Sequence, residues 1–330
     1  MRMTTRAFRI AVLGEKVPAH PEPMLQAIKE VCPDCQIELG ACTPADTARP
    51  EIAAAEVVYL LPVPRLDVSL LARMPNLRWI HTGMAGVENL LEAGIGTLPV
   101  VLTNGAGVHA PPIAEHVIAM VMAFARRLPE LYRQQQRHQW QWLPAAEVAG
   151  QTMGILGFGG IGREVAHKAH ALGMRVLAFR RRGTPGPDGD ADYVYCGDDP
   201  TPVLKEADFL VMALPFTPAT KGFLTRERFA LMKPTAYFIN IGRGGTVVEA
   251  DLVEALHNHT IAGAGLDVFV EEPLAADHPL WELPNVIISP HMSASTPHSQ
   301  QRNLDLFLQN LRRYIQGEPL LNVVDVQAGY

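Results

Sequence analysis

The stretch ILGFGGIGREVAHKAHALGMRVLAF, residues 155–179, constrains the fold more than any other. An apolar run enters a turn carrying Gly157, Gly159 and Gly162; a helix-forming run follows, and a second apolar run closes the segment. This is a G-x-G-x-x-G inside a strand–helix–strand frame, a far more demanding pattern than the glycines alone. Each glycine has its own reason. Gly157 permits the tight turn, Gly159 lets backbone approach a pyrophosphate, and Gly162 lets the helix pack close to the strand. The helix start offers unpaired N–H groups and a partial positive charge to the phosphates. The segment predicts a dinucleotide site, its turn completed by Phe158, Gly160 and Ile161.

The rest of the chain repeats the alternation. Residues 8–14, 57–61, 77–82 and 100–104 read as strands, with helical stretches at 23–32 and 64–74 between them. Around the glycine turn a second series runs through 152–159, 175–179, 208–214, 236–241, 263–268 and 285–290. Those six strands are the number a complete dinucleotide-binding sheet needs. Strands alternating with helices imply parallel βαβ units, so the fold class is α/β with parallel sheets. With 330 residues, two lobes are expected. Residues 111–136 read as one long helix opening on two prolines, apolar on most of its circumference and therefore buried on several sides. An amphipathic helix over 295–317 is expected to return to the first lobe.

Composition removes several alternatives. With 28 Lys+Arg against 34 Asp+Glu the chain has a formal charge of −6, which argues against a nucleic-acid partner. No apolar run is long enough to span a bilayer, and the opening MRMTTRAFRIAVLG reads as a first strand rather than a signal peptide, so a cytoplasmic protein without a membrane partner is expected. Cys32 and Cys35 form a C-x-x-C with no second half, and reduced structural thiols are the expectation. His167, His170, His257 and His259 fall on polar helical stretches and read as solvated.

Arginines end the second strand of the glycine unit, in AFRRRG, residues 178–183. A site that prefers NAD has Asp or Glu there, bonded to the adenine ribose hydroxyls. Arg180 would instead grip a 2′-phosphate by charge-assisted hydrogen bonds, with Arg181 and Arg182 adding to the field. NADP(H) is therefore the expected cofactor, preferred over NAD(H).

Three later stretches each follow a strand, where open α/β sheets hold their ligands. INIGRGG, 239–245, carries Arg243; GLDVFVEEPL, 265–274, carries Asp267, Glu271 and Glu272; ISPHMSAST, 288–296, carries His291. Arg243 could hold a carboxylate and polarise its neighbouring carbonyl. His291 could give or take the proton at oxygen, with Glu272 holding its tautomer and favouring its protonated form. Trp140 and Trp142, in glutamine-rich HQWQWLP, should each cover something apolar, in their own subunit or across a dimer interface.

Along essentially its whole length the sequence resembles the D-isomer-specific 2-hydroxyacid dehydrogenase family. The matching stretches are TNGAGVHAPPIAEHV (103–117), GFGGIG, ADFLVMALPFTPATKGFL (207–224), INIGRGG, LDVFVEEPL and SPHMSAST. The resemblance implies two Rossmann-like lobes with a cleft between them. A nucleotide lobe (104–292) would be inserted into a flavodoxin-like substrate lobe (1–103 and 293–330). It also implies a homodimer held through the helix near 111–130. The family's catalytic trio falls on Arg243, Glu272 and His291. Cofactor positions fall on the glycine turn, Arg180, Arg181, Leu214, Pro215, Thr220, Ile241, Gly242, Arg243, Asp267 and His291, with Asp267 meeting the nicotinamide carboxamide. Met84, Ala85 and Gly86 match the loop that holds the substrate carboxylate, joined by Arg243 and His291. The implied activity is reduction of a small 2-keto acid to the D-2-hydroxy acid, most like the glyoxylate/hydroxypyruvate reductases. Phosphoglycerate and other D-2-hydroxyacid dehydrogenases, or a nucleotide-sensing corepressor or scaffold, are the alternatives. The chain departs from the family at Arg180, where many members have Asp. No regulatory domain is expected after 317, and Glu272 stands where the formate dehydrogenases have glutamine.

Overall fold

A computed structural model describes residues 8–15, 19–61, 66–327 and 329. The chain forms two compact units, Met1–His109 with Thr296–Tyr330, and Ala110–Ser295.

The first unit holds a five-stranded, wholly parallel sheet. Its strands are β1 (Arg9–Gly14), β2 (Gln36–Ala41), β3 (Val57–Leu60), β4 (Trp79–Thr82) and β5 (Val101–Thr103). They lie in the order β2-β1-β3-β4-β5, the flavodoxin-like order. β1 and β3 are buried along nearly their whole length, which is why they read as apolar runs, and β4 is buried as well although it carries His81 and Thr82. β2 was not foreseen: its QIELGA alternates at the sheet edge with only Gly40 fully buried. Helix α1 (Glu22–Val31) starts behind Pro21, with Glu22 in its first turn and Lys29 in its last, both suited to the helix dipole. Of the helix expected over 64–74, Val68–Ala72 is helical; residues 64 and 65 lie outside the described residues.

The helix Pro297–Gln316 packs on this sheet. Phe307 stacks on Tyr59, with ring centres 4.3 Å apart, and on Trp79 at 5.4 Å. Gly317, left-handed at φ 70°, ends the helix. Cys32 and Cys35 are buried in the same core, and burial, then the bond to Cys32, push the Cys35 thiol up to about 12. It therefore carries almost no thiolate for redox chemistry at neutral pH.

His81 is fully buried among these rings, and burial pushes its imidazole down from 6.5 to about 4. The unfolded chain takes up this proton near 6.5 while the fold refuses it until about 4, so stability is lost as pH falls through that window. From His81 alone the fold should be about 2 kcal/mol less stable at pH 5 than at pH 7.5. Burial lowers His109 as well, and it acts in the same direction. Urea unfolding of wild type and His81→Phe at both pH values measures this. The wild type should lose more stability on acidification, and equal losses would show that His81 carries no such penalty.

The second unit holds an eight-stranded sheet in the order β13-β12-β11-β10-β6-β7-β9-β8. These are β6 (Thr152–Leu156), β7 (Arg175–Arg180), β8 (Gly186–Asp188), β9 (Ala191–Cys196), β10 (Phe209–Met212), β11 (Tyr237–Asn240), β12 (Gly263–Leu266) and β13 (Val286–Ile288). All neighbours are parallel except β8 on β9. The order reverses between β6 and β10, the point at which doubly wound sheets bind nucleotides. The six expected strands are β6, β7, β10, β11, β12 and β13, and the sheet adds two that were not foreseen, β8 and β9. ADYVYC leaves Asp192 and Tyr193 exposed, so its apolar character is diluted.

The helix expected over 111–136 is two. Helix α2 (Ala110–Ala125) is buried on several sides, and α3 (Leu128–Gln136) buries no residue. Arg127 between them is left-handed at φ 58°. Pro129 explains the break: it has no N–H for Ala125 and its ring would clash with that carbonyl. Beyond α3, Trp140 and Trp142 are 102% and 85% exposed, so neither ring packs in its own chain, which counts against the first of the two expected placements. Among the described residues no helix is long and apolar enough to cross a membrane, and no three His, Cys, Asp or Glu side chains gather as a metal site.

Candidate active site

The predicted residues of the second unit sit after the carboxyl ends of its parallel strands. Gly157 leaves β6 at φ 104°, and a Cβ there would lie 2.6 Å from the Ala213 carbonyl. A Cβ on Gly162 would run into the Gly157 carbonyl oxygen, so turn and helix touch backbone to backbone. Gly159 is different: a Cβ on it would meet nothing within 4 Å. It precedes helix α4 (Gly160–Ala171), whose start has no side-chain cap. Open space, free of Cβ atoms, beside an uncapped helix start fits a pyrophosphate. Gly160 is exposed and Ile161 half-buried, while Phe158 turns into the core at 5% exposure, so the turn presents backbone rather than that ring.

Arg180 ends β7, and its Nη1 donates to Asp188 Oδ2 at 2.9 Å. Arg163, one residue after Gly162, grips the same carboxylate with both Nη atoms, at 2.9 and 2.8 Å. These bonds, Arg163 foremost, hold the Asp188 carboxyl below the usual range. Arg181 and Arg182 are exposed. After β10, Leu214 is buried and Pro215 half-buried. The Thr220 hydroxyl closes this loop, donating to the Pro215 carbonyl at 2.6 Å and accepting from Thr217 N–H at 2.8 Å.

After β11, Ile241 and Gly242 are buried and Arg243 is half-buried. Asn240 shapes this turn. Its Oδ1 accepts from Gly242 N–H at 3.1 Å and its Nδ2 donates to the Arg243 carbonyl at 3.3 Å. The Thr246 hydroxyl donates to that same carbonyl at 2.6 Å. A Cβ on Gly244 would strike the backbone of Phe269, so the loops after β11 and β12 are in direct contact.

Asp267 follows β12 at 1% exposure. Its Oδ1 accepts from the Ser289 hydroxyl at 2.6 Å and from Met292 N–H at 2.9 Å; its Oδ2 accepts from Ser293 N–H at 3.1 Å. Its own carbonyl accepts from His291 N–H at 2.9 Å. Asp267 thus anchors both sides of His291, which is left-handed at φ 48°, a conformation a side-chain-bearing residue holds only under constraint. His291 Nδ1 lies 2.7 Å from Glu272 Oε2, and Glu272 Oε1 accepts from Phe269 N–H at 3.0 Å. The carboxylate is fixed by backbone on one oxygen and fixes the imidazole with the other. Glu271 beside it is exposed.

Sequence reasoning missed His116, Ser289, Arg163 and Asp188. His116 on α2 reaches Ser289 Oγ at 2.9 Å and Asp267 Oδ1 at 3.9 Å. Arg163 was within reach, being next to the last glycine of the turn. Nothing in PGPDGDAD marks Asp188.

In the first unit, Met84, Ala85 and Gly86 form a half-buried loop after β4. The Met84 carbonyl accepts from Gly105 N–H at 2.9 Å and the Ala85 carbonyl from Asn104 Nδ2 at 2.8 Å, which sets the loop's course.

Residues 118–293 match the sequence profile of the D-isomer specific 2-hydroxyacid dehydrogenase NAD binding domain. A glyoxylate/hydroxypyruvate reductase B from Pectobacterium carotovorum is 36% identical over 270 residues, 80% of this chain and 83% of that protein. A glyoxylate reductase from Aeropyrum pernix is 33% identical over 293 residues, 86% of each. The solved D-isomer specific 2-hydroxyacid dehydrogenase from Xanthobacter autotrophicus, in complex with NADPH and MES, superposes with a TM-score of 0.85. It is 27% identical, and the match covers 98% of this chain and all of that one. The profile match over more than half the chain, with these identities, shows that the chain belongs to the D-isomer-specific 2-hydroxyacid dehydrogenases and is an NAD(P)-dependent oxidoreductase.

Proposed function

We propose that the protein reduces a small 2-keto acid of the glyoxylate or hydroxypyruvate type to the D-2-hydroxy acid, with NADP(H) preferred over NAD(H). The observation that carries the chemistry is His291 held against Glu272 at 2.7 Å and anchored by Asp267 at the strand ends. The nicotinamide, when bound, supplies the hydride. Because Nδ1 is engaged by Glu272, Nε2 is the atom from which His291 hands its proton to the keto oxygen. Glu272 compensates the imidazolium charge and fixes the tautomer. Arg243 holds the substrate carboxylate and polarises the carbonyl. Asp267 acts by holding the His291 loop, since its oxygens already accept three bonds from that loop and from Ser289. Backbone at Gly157–Gly162, Leu214, Pro215, Ile241 and Gly242 shapes the cofactor site, with Thr220 closing its loop. Met84, Ala85 and Gly86 are proposed as the loop that holds the substrate carboxylate.

The similarity to two glyoxylate reductases supports the substrate class. Arg180 supports the phosphorylated cofactor, as does the relative solved with NADPH. Steady-state kinetics with glyoxylate, hydroxypyruvate, pyruvate and 3-phosphohydroxypyruvate, each with NADPH and NADH, tests both parts. We expect turnover of the first two and a kcat/KM for NADPH at least about tenfold above NADH, about 1.4 kcal/mol. Arg180→Asp should reverse the order. Turnover of the phosphorylated acid alone would make the chain a phosphoglycerate dehydrogenase. Cofactor binding without turnover of any acid would favour a sensing role.

The working form is proposed to be a cytoplasmic homodimer. Leu128, Leu131, Tyr132, Trp140 and Trp142 are all exposed within one short stretch, a concentration of apolar surface that marks an interface. Sedimentation should give twice 36.1 kDa at micromolar concentration, and Trp140→Ser with Trp142→Ser should shift it toward monomer. A monomeric wild type would remove the proposal.

A further inference from the structure

The corner beyond β7 holds more than the arginine that sequence reasoning placed there. Asp188, on the antiparallel edge strand β8, is shared by Arg163 and Arg180 through three hydrogen bonds of 2.8–2.9 Å. The Arg163 guanidinium lies 4.6 Å from the ring centre of Phe158, a residue of the glycine turn. Arg180 is next to that turn as well, since the Phe179 carbonyl accepts from Gly157 N–H at 2.9 Å. The chain folds closely around this corner: a Cβ on Gly183 would lie 2.7 Å from Arg180 Nε and 2.9 Å from Nη2. Two cations and one anion therefore meet where an adenosine 2′-substituent is expected.

We propose that Asp188 sets the margin between phosphorylated and unphosphorylated cofactor, competing with the 2′-phosphate for Arg163 and Arg180. This rests on the reading that Arg180 recognises that phosphate. The phosphate brings about 1.5–2 negative charges at neutral pH. Asp188 stays ionised there, held by the two guanidinium groups. The phosphate must either share the arginines with a like charge or displace it, and both reduce what the arginines give. Toward a free 2′-hydroxyl the same carboxylate is an acceptor, the part an acidic residue plays in sites that prefer NAD. Both effects push the selectivity ratio the same way. The present chain is thus a tempered NADP(H) site, and removing the charge should sharpen it.

Calorimetric Kd values for 2′,5′-ADP, 5′-AMP, NADPH and NADH test this in wild type, Asp188→Asn, Asp188→Ser and Arg180→Ala. Asp188→Asn and Asp188→Ser should each bind 2′,5′-ADP and NADPH about tenfold tighter or more, the release of a like-charge penalty. NADH and 5′-AMP should be unchanged or a few-fold weaker, which also shows that the nucleotide site is still folded. An NADPH/NADH ratio within about twofold of wild type in both Asp188 variants, or weaker NADPH binding in both, would overturn the proposal. Arg180→Ala separates the two ways of failing. If it lowers the ratio while the Asp188 variants leave it unmoved, only the role of Asp188 falls. If it leaves the ratio unchanged, the reading of Arg180 falls and this proposal with it.

Discussion

His291→Ala should lose about 10³-fold in kcat for keto acid reduction, within the range that positioned proton donors contribute, while binding NADPH as wild type does. The split follows from the architecture. The imidazole stands after β13, whereas the glycine turn and Arg180 stand after β6 and β7. Its removal takes away the proton donor without touching the turn. His291→Ala also relieves no packing, since the side chain is half exposed and its principal partner is Glu272. Glu272→Gln should fall less than His291→Ala, because the glutamine amide keeps the ring oriented but no longer balances its charge. Fluorescence titration with NADPH alongside steady-state kcat measures both halves. A variant that binds NADPH poorly, or one that keeps more than about a tenth of wild-type turnover, would contradict this assignment.

Arg243→Ala should reduce kcat/KM for the keto acid by about 10²–10⁴, and unlike His291→Ala it should raise KM as well as lower kcat. One group is asked to do two things: hold the carboxylate in the ground state and stabilise charge gathering on the carbonyl oxygen in the transition state. Arg243→Lys should recover only part of the loss, since an ammonium keeps the charge but not the planar fork that matches a carboxylate. The surrounding turn should survive either change. Asn240 and Thr246 hold its backbone around Arg243, and the guanidinium adds one bond of its own, from Arg243 Nη1 to the Gly242 carbonyl at 2.9 Å. Equal KM values for wild type and Arg243→Ala would show that this residue does not hold the substrate.

The fold was legible where burial is complete. β1, β3, β6, β7, β10, β11 and β12 are covered over most of their length, so each stands in the sequence as an apolar run. β2 and β9 were not legible, because at least half of each strand's positions are only partly covered or exposed and admit Gln, Glu, Asp and Tyr. The break between α2 and α3 was written in Pro129, but the apolar run before it hid the signal. At the site, Arg243, Glu272 and His291 stood out through local motifs at strand ends. The groups that brace the Asp267 loop and the cofactor corner did not, because their contacts join distant segments. His116 meets Ser289 across 173 positions, and Asp188 meets Arg163 across 25. Asp267 was noticed, yet its principal contacts, to Ser289, Met292 and Ser293, needed the folded chain to be seen.

The central claim is that this chain reduces a 2-keto acid to the D-2-hydroxy acid using His291 as the proton donor. It is tested most directly by following a label from 4-deuterated NADPH into hydroxypyruvate and resolving the glycerate by chiral chromatography and mass spectrometry. The account predicts D-glycerate carrying one deuterium at C2 from wild type, and almost none from His291→Ala at equal NADPH occupancy. L-glycerate, product without the label, or equal labelled product from His291→Ala would contradict it.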